Sequence, residues 1–220
     1  MPFYASAHAA VISVEETRCA CVACRVGHGA DHPARPRLYT TDMTDAAWQA
    51  IDPLLPWPAG LDGYGGHPEE DCRRLVSDAL CYVADNGCTW RNLPADFGIP
   101  WKTLHGIFTR WNHAGFTLAF HNDLRQQVRQ AEGRETEPSA TVIDAQSVRA
   151  AETVGADTRG WDAGKKVGGR KGPVLVDTLG LLLVVLVTTA SVQDRDGARP
   201  ALAFLRKLYE RITLVWADGG

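Results

Sequence analysis

The sequence lacks a secretory leader: its first 19 residues, MPFYASAHAAVISVEETRC, have no basic start, and Glu15 and Glu16 interrupt the stretch where the apolar core of a signal peptide would lie. It also lacks a hydrophobic run of membrane length. The most apolar stretch, Leu179 to Ala190, falls short of the roughly 20 residues a spanning helix needs, and Asp177 stands just before it. An excess of positive charge is missing too, since 23 Lys and Arg against 26 Asp and Glu give a formal net charge of -3. That excludes a protein that coats nucleic acid through bulk charge, so any DNA contact has to come from local patches. No internal repeat, low-complexity tract or phosphate-binding G-x-x-x-x-G-K-[ST] loop occurs. These absences point to a cytoplasmic protein with no membrane partner, in which the 6 cysteines stay reduced.

What is present divides into segments of different character. Residues 1–42 show neither helical nor strand periodicity and are expected to be an irregular, disordered extension. They hold Cys19, Cys21, Cys24, His28 and His32, thiols and imidazoles of the kind zinc prefers, but not the second ligand pair or apolar residues that fold around a structural zinc. Cys72 and Cys81 fall on an amphipathic helical pattern and read as core residues.

Residues 43–131 carry helical punctuation. Thr44 is placed to cap TDAAWQAIDPLL, and a stripe of Leu75, Val76, Ala79, Leu80 and Val83 ends at Gly87, a good C-terminal cap. After a turn, Trp101, Leu104, Ile107, Phe108 and Trp111 recur at helical spacing, and Phe120, Leu124 and Val128 mark one more helix. Lys102, Thr103 and Arg110 lie off the apolar stripe of their helix, which is what a helix-turn-helix reader of the DNA major groove presents. Trp101 and Trp111 share that stripe and read as core.

A polar linker is expected over residues 132–139, and the periodicity then switches. ATVIDA, PVLVDT, LLLVVLVTTA and TLVWAD read as strands, the second and third as a hairpin, with a helix capped by Asp194 or Asp196 before the last. The fold class is therefore α+β: an all-α helix-turn-helix-like domain over 43–131, then an α/β domain over 140–220.

Two of these strands end in an aspartate, Asp144 and Asp218. A hairpin followed by a crossover helix returns the last strand parallel to the first, so both carboxylates leave the sheet at the same end. Two like charges that close are costly without a cation between them, which suits Mg²⁺ or Mn²⁺. Asp177 precedes a turn, and turn chemistry alone explains it. GWDAGKKVGGRKG between the first two strands reads as a flexible glycine-rich loop whose Lys165, Lys166, Arg170 and Lys171 can hold a phosphate backbone.

Taken together, TDAAWQAIDPLLP, GCTWRNLPADFGIPWKTLHGIFTRW, VIDAQSV, GWDAGKKVGGRKGPVLVDTLGLLL, VQDRDGA and LVWADGG closely resemble the DDE-type transposases of bacterial insertion sequences, over about residues 43–220. The resemblance implies a helical domain that binds the element's terminal inverted repeats. It also implies an RNase H-like domain that cuts donor DNA and joins it to target DNA with Mg²⁺, possible partners being double-stranded DNA and further copies of the chain on it. The first two carboxylates of the triad match Asp144 and Asp218. The third, a glutamate on a later helix, would fall after Gly220, so a truncated and catalytically inactive chain is expected. Alternatives are a DNA-binding inhibitor of transposition and an inert pseudogene product.

Overall fold

The computed structural model describes residues 19–25, 35–58, 70–151 and 155–217. His28, His32 and Asp218 lie outside the described residues. The chain forms two compact units that divide between Phe120 and His121.

The first unit is helical. A short helix α1 (Val22–Arg25) precedes α2 (Asp45–Ile51), whose N-cap Thr44 accepts a hydrogen bond from the Ala47 amide at 3.1 Å, as the sequence predicts. The helix α3 (Arg73–Asn86) ends where Gly87 turns left-handed at φ 59°. Residues 87–100 hold two short 3-10 turns, a longer connection than the tight turn read from sequence, and lead into α4 (Trp101–His113). Leu104 of α4 is fully buried among Val76, Ala79, Phe97 and Ile99. Burial of one such leucine contributes about 1.5–3 kcal/mol.

Where it is described, the stretch before Met43 is packed rather than disordered, although residues 35–42 form no helix or strand. Arg35 pairs with Asp42 at 2.9 Å and Asp96 at 3.2 Å, and its guanidinium lies 4.2 Å over the Phe97 ring. Asp42 in turn accepts from the Leu38 and Tyr39 amides at 2.7 and 2.9 Å. Cys21 and Ala23 are buried with Trp48, Leu55 and Cys72. Local periodicity cannot find the packing onto Asp96, Phe97 and Cys72, because those partners are distant in the chain. Cys72 is in the core as expected, but Cys81 is exposed.

A further helix, α5 (Phe116–Ala131), runs across the division between the units. In the second unit its last turns hold two buried arginines. Arg129 pairs with Asp177 at 2.5 Å and donates to the Glu135 carbonyl at 2.7 Å, while Arg125 sits 4.9 Å over the Tyr209 ring. The expected linker is thus tied down at Glu135.

The second unit is built on a sheet of β1 (Ala140–Arg149), β2 (Gly160–Asp162), β3 (Val167–Val176), β4 (Leu182–Val185), β5 (Thr188–Thr189) and β6 (Leu214–Ala217). The order is β2-β3-β1-β6, with β4 and β5 also paired to β3. β1 runs antiparallel to β3 and parallel to β6, so the return predicted from the crossover occurs. The helix α6 (Asp194–Leu208) covers one face, where Ile143, Leu175, Leu183, Val184, Ala201 and Leu205 form the core. Its N-cap is Gln193, without a side-chain bond, rather than Asp194 or Asp196.

The glycine-rich segment is not a flexible loop. Residues 160–162 and 167–169 pair as a hairpin that continues the sheet. Gly169 is there for close approach: a Cβ at this position would lie 2.0 Å from the Val148 carbonyl oxygen on β1. Composition pointed to a loop, and interstrand spacing explains the glycine instead.

Candidate catalytic face and DNA contacts

A strand presents alternate residues to opposite faces, and β1 follows that rule. Ile143 points into the core, whereas Asp144, Gln146 and Val148 are exposed on the face away from α6. Directly opposite them on β3 stand Val174, Gly172 and Arg170. Asp144 and Arg170 therefore share one open face, and Gln146, Val148, Arg170 and Val174 line a groove of about 370 Å³ there.

One Asp144 oxygen accepts the Ala145 amide at 2.7 Å. The other has no hydrogen-bond partner among the described residues, which leaves a hard oxygen donor open to a divalent cation. The parallel register of β1 and β6 runs to Ile143 against Ala217, the residue before Asp218 in the chain.

The four cations of the segment take different positions. Lys165 and Lys166 occupy the turn between β2 and β3, where Lys166 is left-handed at φ 54° and the Lys165 ammonium donates to the Ala145 carbonyl beside Asp144. Arg170 is exposed. Lys171, expected among the backbone-binding cations, points to the opposite face and bridges Asp162 and Asp194 at 2.9 Å each, with its side chain 8% exposed. Burial alone would lower its pKa, but the hydrogen bonds to Asp162 and Asp194 outweigh that and raise it. The Ser147 hydroxyl, donating to Asp162 at 2.6 Å, and then Lys171 hold the Asp162 carboxyl well below the usual range. Lys171 is thus held in a structural ion pair.

Asp177 is explained by its turn, as the sequence suggested. Its Oδ1 accepts the Leu179 and Leu181 amides at 2.9 Å each, Gly180 is left-handed at φ 80°, and Arg129 holds its other oxygen.

In the helical unit, Lys102 and Arg110 are exposed and Thr103 is half-buried. Thr103 and Arg110 are seven residues apart, about two helical turns, and share a face. Trp111 packs in the core as expected. Trp101 departs from that reading: it is half-buried, with Arg91 at 5.5 Å and Lys102 at 5.8 Å from its ring.

Sequence reasoning singled out Cys19, Cys21 and Cys24 but missed the residue that completes their cluster, Cys72. Cys19, Cys21, Cys24 and Cys72 bring their sulfurs within 4.8 Å of one another. Cys21 and Cys72 share a hydrogen bond at 4.0 Å; contact with Cys19, then Cys72, draws the Cys21 thiol far below the ordinary value, whereas burial, then the Cys21 sulfur, pushes Cys24 up to about 12. The signal was the C-x-C-x-x-C spacing, which does not name its distant partner.

Comparison with known proteins matches two stretches of the chain. Residues 43–121 match the family described as "Putative transposase of IS4/5 family", and residues 135–220 match "Transposase DDE domain". Over 113 residues the chain is 27% identical to the "Insertion element IS402 uncharacterized 16.2 kDa protein" of Burkholderia cepacia, covering 49% of this chain and 73% of that protein. No solved structure matches. Among the described residues no helix is long and apolar enough to cross a membrane. A stretch that matches a putative IS4/5-family transposase is thus followed, after 13 residues, by one that matches a transposase DDE domain, and in that order the chain is similar to insertion-sequence transposases of the DDE type.

Proposed function

We propose that the helical domain, taken as residues 43–131, reads the terminal inverted repeats of an insertion sequence, and that Asp144 and Asp218 of the domain over 140–220 hold Mg²⁺ or Mn²⁺, the site that serves DNA cleavage and strand transfer where a third carboxylate completes it. The observation that carries the reading is the open Asp144 carboxylate on β1, the strand whose parallel neighbour leads into Asp218, within the match to a DDE domain. When bound, divalent cations supply activation of the attacking oxygen and stabilisation of the leaving oxygen in phosphoryl transfer.

The remaining work falls to the side chains. Lys102, Thr103 and Arg110 of α4 contact base edges, and Lys165, Lys166 and Arg170 hold the phosphate backbone next to Asp144, because phosphate contacts position while base contacts specify. The site of action is then double-stranded DNA in the bacterial cytoplasm, with copies of the chain assembling on the two element ends.

The test uses duplexes carrying the genomic DNA that flanks the reading frame, with scrambled duplexes as controls. Lys102→Ala with Arg110→Ala should cost about 1–3 kcal/mol of discrimination between the two, as losing a base contact does. Mn²⁺ retention, followed by electron paramagnetic resonance, should fall in Asp144→Asn and in Asp218→Asn. Equal affinity for flanking and scrambled DNA in the unaltered protein, together with unchanged Mn²⁺ binding in both aspartate variants, would reject the reading.

A further inference from the structure

We propose that Cys19, Cys21, Cys24 and Cys72 form a closed structural zinc site that fastens residues 19–25 to the start of α3. The four sulfurs lie within 4.8 Å of one another, and the buried pair Cys21 and Cys72 is 4.0 Å apart. A tetrahedral zinc with bonds of about 2.3 Å to sulfur requires sulfur-to-sulfur edges of about 3.8 Å. No sulfur-to-sulfur separation in the cluster exceeds that edge by more than about an ångström. A disulfide, by contrast, needs about 2.05 Å, and none of the four cysteines is in one.

The surroundings fit a thiolate centre. Cys72 is the N-cap residue of α3 but makes no side-chain cap bond. Its sulfur faces the cluster instead, beside the end of the helix where negative charge is favoured. The backbone amides of Cys24 and Arg73 are aimed at the Cys21 sulfur. Amides aimed at ligating sulfurs orient and stabilise thiolates around a metal. Trp48, Leu55, Met43 and Ile51 pack around the group. Four protein ligands in an apolar wall leave no open coordination position, which is the mark of a structural site rather than a catalytic one.

The chain path gives the ion a task. Cys21 and Cys72 are 51 residues apart, and α1 is a single turn of helix too short to persist alone. Coordination supplies folding free energy directly, because the site does not exist in the unfolded chain. The ligand set also differs from the one the spacing suggests, with Cys72 taking the place of His28 and His32.

The experiment uses the full chain, purified without chelator. Metal analysis should return one zinc per chain, and replacement by Co²⁺ should give the absorption of a tetrahedral ion with four thiolate charge-transfer contributions. Cys72→Ser should weaken zinc binding by more than about a hundredfold, beyond what loss of a supporting partner costs, and Cys81→Ser should leave it unchanged. If Cys72→Ser fails to fold, the number of cysteines shielded from alkylation in the metal-loaded wild-type protein answers the same question, with Cys19, Cys21, Cys24 and Cys72 expected to be shielded. Four reactive thiols and no metal, a disulfide within the cluster, iron in place of zinc, or zinc retained by Cys72→Ser but lost by His28→Ala would each overturn the proposal.

Discussion

The two faces of the sheet handle charge in opposite ways, and neighbouring residues show it best. Arg170 and Lys171 are adjacent in sequence and carry the same charge, yet one is exposed opposite Val148 on the open face while the other is buried between Asp162 and Asp194. Asp144 and Asp177 differ in the same way: the first has an open oxygen, the second is enclosed by two amides and Arg129. Residue type does not separate structural from functional charge here. Strand parity does, because one face is covered by α6 and the other is not.

The largest effect expected from testing that contrast lies in the buried pair. Arg129→Met removes the partner of a fully buried Asp177 carboxylate and should cost about 3–5 kcal/mol in chemical denaturation. A loss below about 1 kcal/mol would mean that the pair is as weak as a surface bridge.

Next comes Lys171→Met, which should lower the denaturation midpoint at neutral pH where Arg170→Met does not. The pH dependence has a definite sign. The folded pKa of Asp162 is depressed, so its contribution is present above the usual carboxylate value of about 4 and is lost as pH falls through the lower folded value. The raised Lys171 contributes below the usual lysine value and is lost as pH rises through the higher folded one. The gap between the Lys171 variant and the unaltered protein should therefore narrow in acid. A gap constant down to the acid unfolding transition would contradict the ion-pair account.

Smaller still are the effects on the open face. Asp144→Asn should stay within about 0.5 kcal/mol of the unaltered stability, as exposed substitutions do, while giving up its Mn²⁺. Arg170→Ala should reduce the slope of log affinity against log salt by about one, the signature of one lost phosphate contact. Destabilisation by either, beyond that range, would show the open face to be part of the fold.

Much of this arrangement was legible in the sequence. The Thr44 cap, the Gly87 stop and the turn chemistry of Asp177 follow from local signals, each carried by a residue and its near neighbours, and the parallel return of β6 follows from the order of the elements. The fate of Lys171 was not read, because Gly168 and Gly169 made the segment look like a loop, and without a strand no parity can be assigned. Had β3 been started at Val167, alternation would have sent Arg170 and Lys171 to opposite faces. The cysteine cluster was hidden for another reason. Its fourth member sits beyond α2 and a long intervening stretch, and nothing local to Cys72 marks it as more than a core residue. The packing of Arg35 between Asp42 and Asp96 has the same origin, since 61 residues separate Arg35 from the second carboxylate.

Gly169 has a consequence for inheritance. Every single-base change in a glycine codon that alters the amino acid introduces a β-carbon or stops the chain, and at this position a β-carbon meets the backbone oxygen of Val148 at 2.0 Å. The obstructing atoms belong to the backbone of β1, so no choice of side chain relieves the collision and the strand itself has to shift. Each amino-acid change open to this codon by one base therefore disturbs the pairing of the two strands that carry Asp144 and Arg170.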